Sequence, residues 1–220
     1  VKPPTAERDE VTTLRADQIE PLLEALRGSP FEAVATVALF TGLRRGELLA
    51  IRWGDIDLAG ATMKVERSLE QTKNGLRFKG PKTKNGRRTI TLPMTALEAL
   101  QAHRVRQLEL RLSLGQGKPD TDTLVFSTAD GDPLPPNRLS FDWARFVRSR
   151  GLPQVRFHAL RHTHASALIA AKVDTLTISR RLGHSSPLIT LRVYGHLFHQ
   201  TDAAAAEAVE RALRGRKGLA

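Results

Sequence analysis

The chain has 220 residues, no cysteine, and 34 Lys plus Arg against 23 Asp plus Glu, a formal charge of +11. The absence of thiols excludes disulfides, thiolate metal sites and a cysteine nucleophile, and no apolar run approaches the roughly 18 residues a spanning helix needs. An apolar share of 40% can bury the core of one large domain. The positive charge is spread along the chain rather than gathered on one amphipathic helix, so the expected partner is a polyanion and not a membrane.

Residues 1–12 are polar and contain Pro3 and Pro4, which reads as a linker tail with no apolar signal segment. Ile19, Leu22, Leu23 and Leu26 fall at helical spacing, predicting a helix over 14–26 that Gly28 and Pro30 end. A second helix over 31–40 is apolar nearly all round and belongs in the core. A third begins near Arg45 and carries Leu48, Leu49 and Ile51. The texture then changes, and 62–67 alternates as a strand does. Asn85-Gly86 suits a type I′ turn, predicting a hairpin with arms 76–84 and 87–92. Helix returns over 95–114 with an Arg-rich outer face, followed by a loop at 115–119. A short strand is expected at 124–126 and a Gly/Pro turn region at 130–136. Helices follow over 138–150, 158–171 and 175–182, then an alanine-rich one over 203–213. The sum is mainly α with a small antiparallel β-sheet, an α+β fold without internal repeats.

Several residues carry chemistry. Tyr194 is the only tyrosine, with Arg192, His184 and His196 nearby in sequence. Alone it reads as a partly buried aromatic with a satisfied hydroxyl. His158 and Arg161 are three apart, hence on one helix face. The planar Arg fork can hold two phosphate oxygens, and His can exchange a proton near neutral pH. Arg44 stands at a turn entering a helix, where backbone N–H groups also favour anions. Glu47, three residues on, can brace Arg44 or a catalytic His, or simply complement the helix dipole. Lys82 and Lys84 precede the Asn85-Gly86 turn and can reach a DNA groove.

In order, Thr41-Gly42-Leu43-Arg44-x-x-Glu47-Leu48, the Lys82 segment, His158-x-x-Arg161-His162-Thr163-x-Ala165-Ser166, Leu182-Gly183-His184-Ser185-Ser186 and Tyr194 resemble the tyrosine recombinases, also called phage integrases. The resemblance runs from about Leu14 to His196, and Tyr194 lies ten residues after His184, a spacing typical of that family. It implies a catalytic domain over 13–200, with a C-terminal helix and basic tail at 201–220. Arg44 and Arg161 would clamp the scissile phosphate, and Lys82 would protonate the 5′-oxygen leaving group, with Lys84 as the alternative. His158 would act as general base, His184 would hydrogen-bond the phosphate and Glu47 would support the site. Tyr194 would attack, giving a 3′-phosphotyrosine.

The implied enzyme is a site-specific recombinase serving integration or excision of a mobile element. Its partner would be double-stranded DNA, bound as a homotetramer on paired sites, with the free chain a monomer in the bacterial cytoplasm. Two arginines supply the charge a metal would otherwise bring, and the phosphotyrosine stores the bond energy. No cofactor is therefore expected, and the chain has no Gly-x-x-x-x-Gly-Lys-Ser/Thr loop. His158 and His162 stand four apart as zinc ligands can, but Ala159 occupies the position where a metalloprotease needs Glu. A type IB topoisomerase shares the chemistry, and a non-catalytic DNA-binding protein would have no use for an ordered nucleophile. The family usually carries an N-terminal clamp domain, which a chain starting here lacks, so the expectation is a piece of a longer protein.

Overall fold

Nearly every element is set by a local signal that ends at a glycine or begins at a cap. A computed structural model describes residues 13–80, 86–198 and 202–214. In α1 (Ala16–Leu26) the Gln18 side chain accepts the Arg15 backbone N–H at 3.0 Å, and Leu22 and Leu26 are buried on one face. α2 (Glu32–Thr41) is buried from Ala33 to Leu39 and packs against α4 (Met94–Ser113) and α6 (Ala159–Ala170). Its apolar circumference is thus the consequence of a central position. Gly42 caps it with φ 68°, and a Cβ there would press into His164 and Leu182. Backbone and packing both demand glycine at this point.

α3 (Arg45–Leu48) is a single turn, shorter than its sequence suggests. Leu49, Ala50 and Ile51 leave the helix fully buried, and the Ile51 carbonyl accepts the Val125 N–H at 2.9 Å. The expected strand at 124–126 is therefore one bridge, between Arg52 and Leu124, rather than a ladder.

The β part differs from the expected hairpin. β1 (Ile56–Asp57), β2 (Thr62–Val65) and β5 (Arg88–Thr91) form one antiparallel sheet in the order β1-β2-β5. β3 (Ser68–Thr72) and β4 (Gly75–Lys79) form a separate hairpin, pairing Thr72 with Gly75 and Ser68 with Lys79. The two arms expected to pair across Asn85-Gly86 lie in different sheets. The segment Thr-Lys-Asn-Gly occurs twice, at 72–75 and 83–86. The first copy makes the turn. Burial decides the pairing: β5 puts Ile90 opposite the fully buried Met63, whereas β4 is exposed along most of its length.

Gln107 of α4 staples the 124–126 segment, donating to the Leu124 carbonyl at 3.0 Å and accepting the Trp53 indole N–H at 2.6 Å. α5 (Pro136–Ser149) buries Trp143, which donates to the Val155 carbonyl at 2.8 Å. α7 (Thr175–Leu182) opens on an Asp174 cap and closes on Gly183, φ 66°. α8 (Pro187–Tyr194) has no counterpart among the expected helices, although Ser186 caps it and Pro187 takes its first position. α9 (Asp202–Arg214) contains the expected alanine-rich helix. The main core runs through α1, α2, α4, α5 and the first sheet. A second, smaller cluster joins Ala165, Ile169, Ile178, Leu182 and Tyr194 of α6, α7 and α8. The fold is mainly α with small antiparallel sheets, as expected.

Candidate active site

A cleft of about 460 Å³ opens between α3, the end of β4, α6 and α8. Arg44, His158, Arg161, His184 and Tyr194 all line it, with Glu47 at its back. Lys82 and Lys84 lie outside the described residues. The described residues that bracket them, Gly80 and Gly86, both line the cleft. Arg192 and His196, neighbours of Tyr194 in sequence, are exposed.

The arginines are oriented by helix ends. The last carbonyls of a helix lack intrahelical partners and carry partial negative charge. Arg161, only 4% exposed, donates to the Gly42 carbonyl at the end of α2 at 2.5 Å and to the Leu182 carbonyl at the end of α7 at 2.8 Å. Arg44 donates to the Gly183 carbonyl at 2.9 Å. Left-handed Gly42 and Gly183 turn the chain at the two helix ends that hold these guanidinium groups. Burial, and then the charge of Arg44, lowers Arg161 to about 9, so it remains cationic at neutral pH.

Glu47 is clasped from two sides. It accepts the Arg44 backbone N–H at 3.0 Å and the Arg44 guanidinium at 2.7 Å. Arg88 of β5 donates to both its oxygens, at 3.2 and 2.9 Å. Burial alone would raise the carboxyl, but the hydrogen bonds and charge of Arg88, together with Arg44, hold it below the usual carboxylate value.

The imidazoles face the opposite balance. Burial, then Arg161, Arg44 and Arg88, pushes His184 down to about 4, while its Nδ1 meets the Thr190 hydroxyl at 2.8 Å. His158 stands at the cleft mouth and is lowered by the protein packed behind it and by His162, Arg161, Arg44 and Arg45. Tyr194 is 1% exposed, its ring packed in the second core and its hydroxyl 2.7 Å from His162 Nδ1. Its hydroxyl is raised above the usual value, because burial outweighs the opposing pull of Arg161. The positive charge of Arg161 favours the phenolate, but in the free chain it is not the larger effect.

The family model described as the phage integrase family matches residues 12–201. The chain belongs to the phage integrase family. It is 34% identical over 209 residues to a tyrosine recombinase XerC-like protein of Caldanaerobacter subterraneus subsp. tengcongensis, covering 90% of this chain and 54% of that protein. It is 36% identical over 168 residues to the ICEBs1 integrase of Bacillus subtilis, covering 76% of this chain and 45% of that protein. The chain thus spans about half the length of the curated relatives it matches. The Tn1549 transposon integrase in complex with transposon right end DNA shares the fold with a TM-score of 0.78 at 24% identity, over 93% of this chain and 67% of that one. The XerA recombinase does so with a TM-score of 0.67 at 23% identity, over 99% of this chain and 68% of that one. Solved structures of the family contain bound DNA.

The sequence assigns no part in strand transfer to two residues that line the cleft of this integrase-family chain, Lys79 and His162, or to Arg88, which holds Glu47. Lys79, at the end of β4, pairs with Glu70 at 2.7 Å. Arg88, on the 87–92 arm, is 8% exposed in its side chain and ties β5 to α3 and α7. In sequence His162 is part of the His158-x-x-Arg161-His162 segment and stands at a zinc-ligand spacing from His158, with no catalytic role attached to it. Its signal was already present in the sequence, since it follows Arg161 directly and stands one turn after His158. Among the described residues no three His, Asp or Glu side chains are grouped to hold a metal.

The buried imidazoles also set an acid limit on stability. His164 meets the Leu39 carbonyl through Nδ1 at 2.9 Å and faces the Arg181 Nε–H with Nε2 at 3.1 Å, an arrangement only the neutral ring satisfies. Burial, and then Arg181, lowers it to about 4. His164 and His184 therefore bind fewer protons folded than unfolded between pH 4 and the ordinary histidine value of about 6.5. Their contribution is present above that value and is lost as pH falls toward 4, on the order of 2–3 kcal/mol per imidazole. The urea midpoint should fall steadily from pH 7.5 through 6 to 4.5. A constant midpoint would show that the rings are not held neutral.

Proposed function

We propose that this chain is the catalytic domain of a site-specific DNA recombinase that cuts and rejoins strands through a 3′-phosphotyrosine at Tyr194. The carrying observation is the convergence of Arg44, Arg161, His184 and the only tyrosine on one cleft. Attack on a phosphodiester builds negative charge on the non-bridging oxygens. Guanidinium groups already fixed by helix-end carbonyls meet that charge without reorganising, which stabilises the transition state more than the ground state. Glu47 and Arg88 hold Arg44 in position. With Nδ1 engaged by Thr190, His184 has Nε2 left to donate to a phosphate oxygen. A neutral imidazole of α6 receives the tyrosyl proton, and Lys82, or alternatively Lys84, protonates the 5′-oxygen. The two arginines supply the positive charge, so the step calls for neither metal nor ATP.

Double-stranded DNA is the partner. A groove of about 660 Å³ shares Arg44 and His158 with the cleft and adds Arg45, Asn137 and Arg156, a polar and basic lining suited to the phosphate backbone. Exposed Val209 and Leu213 on α9 suit docking on a neighbouring protomer in a homotetramer on paired sites. The ICEBs1 and phage integrases among the relatives support integration or excision of a mobile element, acting in the bacterial cytoplasm.

The test is covalent trapping. The protein is incubated with supercoiled plasmid in EDTA at low salt and stopped with SDS. Relaxed plasmid with a protein–DNA adduct is the expected result. No adduct from the full-length protein on its own site would favour a DNA-binding protein without chemistry.

A further inference from the structure

We infer that His162, rather than His158, takes the proton from the Tyr194 hydroxyl as it attacks the phosphate. The inference rests on the strand-transfer reading and names a catalytic group within it. The Tyr194 Oη stands 2.7 Å from His162 Nδ1, within the reach a general base needs. Their ring centroids lie 5.7 Å apart with the planes tilted at 59°, so the two rings are not stacked and the close approach is between Nδ1 and the hydroxyl. Among the described residues His158 makes no hydrogen bond to that hydroxyl. Its ring instead stands edge-on to His162, with centroids 4.7 Å apart at 87°. His158 is thus one step further from the phenol and open to solvent at the cleft mouth.

The surroundings of His162 fit a base and not an acid. His158 and Arg161 flank it on α6 and Tyr194 faces it from α8. Arg44 just before α3, Glu47 of α3, Lys79 of β4 and His184 beyond α7 share its cleft. Burial, and then Arg161, keeps its proton affinity below that of a free imidazole. The ring is therefore neutral at neutral pH. In the Nε2-protonated tautomer the Nδ1 lone pair accepts the tyrosyl O–H.

The step balances as follows. The Oη–H bond breaks, the proton passes to Nδ1, and the oxygen electron pair forms the Oη–P bond. The P–O5′ bond breaks and the leaving oxygen takes a proton from the general acid. On rejoining, the 5′-hydroxyl attacks and returns its proton to that acid, and the departing tyrosyl oxygen recovers its proton from His162. The imidazolium formed in between lies beside Arg161, which favours return of the proton and keeps the exchange reversible.

Two measurements test this. Nitrogen NMR of the free chain at pH 7.5 should show His162 protonated on Nε2 alone, titrating below pH 6.5. A proton on Nδ1 would mean that His162 donates to Tyr194, and would overturn the inference without touching the strand-transfer reading. On supercoiled plasmid, His162→Ala should slow adduct formation by about a hundredfold or more with DNA affinity unchanged, and His158→Ala should cost less. His162→Gln keeps a hydrogen-bond acceptor but no base, and should be as slow as His162→Ala and lose the acid limb of the pH–rate profile. A His162→Gln rate equal to wild type would reduce His162 to a positioning residue and overturn the inference. If the full-length protein formed no adduct on its own site while NMR gave the expected tautomer, the strand-transfer reading would fall and take this step with it.

Discussion

Tyr194→Phe is expected to abolish the SDS-stable DNA adduct while leaving DNA affinity within about twofold and stability within about 1 kcal/mol. The chain contains one tyrosine, so no other phenol can substitute for it. The ring is 1% exposed and packs with Ala165, Ile169, Ile178 and Leu182, and a phenylalanine ring fills the same space. The only described partner of the hydroxyl is His162, so its removal leaves one half-buried imidazole nitrogen to be hydrated. The basic groove is untouched, and binding should keep its salt dependence. Filter binding at two salt concentrations, set beside SDS trapping, separates the two effects. An adduct from the Phe variant would remove Tyr194 as nucleophile. A large loss of affinity would mean that the hydroxyl serves binding rather than chemistry.

Arg161→Lys is expected to slow adduct formation by about 10²- to 10³-fold and to lower the melting temperature. The guanidinium spans the Gly42 and Leu182 carbonyls with separate nitrogens and still presents an edge to the cleft. An ammonium on a flexible stem keeps the charge, but one point cannot satisfy both helix ends and a phosphate. The carbonyl left unpaired costs about 1–3 kcal/mol. Trapping rate and thermal melting should fall together. A Lys variant with wild-type rate and melting temperature would show that charge alone suffices and that the span between the two helices is dispensable.

Both outcomes follow from how the site is assembled. α2 and α7 each end on a left-handed glycine beside the cleft, and their last carbonyls become acceptors for cations brought by α3 and α6. A cluster of positive charge is normally self-repelling. Here it is stabilised by helix termini and by one carboxylate, Glu47, shared between Arg44 and Arg88. The phosphate would enter a field already built to receive negative charge.

The sequence by itself determined a great deal. Helical spacing located α1 and an apolar circumference located α2, because a stripe or a whole surface must be apolar according to how much of the helix meets the core, and α4, α5, α6 and α7 lie within two residues of their expected bounds. The ordered Arg, His, Arg, His, Tyr series pointed to the family, because reactive groups are retained by type and order. Other features were decided only in three dimensions. Two identical Thr-Lys-Asn-Gly segments offered two hairpins of equal local merit, and the choice fell to the β2–β5 pairing that puts Ile90 opposite Met63 in the core. Arg88 gave no sign in sequence of being buried, because its partners Glu47 and the Arg181 carbonyl are 41 and 93 residues away. The raised Tyr194 hydroxyl reflects burial outweighing nearby charge, a balance that depends on distances. His162 was visible as a residue type, but which imidazole meets the phenol depends on how α8 crosses α6. Spacing along a chain fixes which groups share a face, whereas contact between faces is fixed by packing.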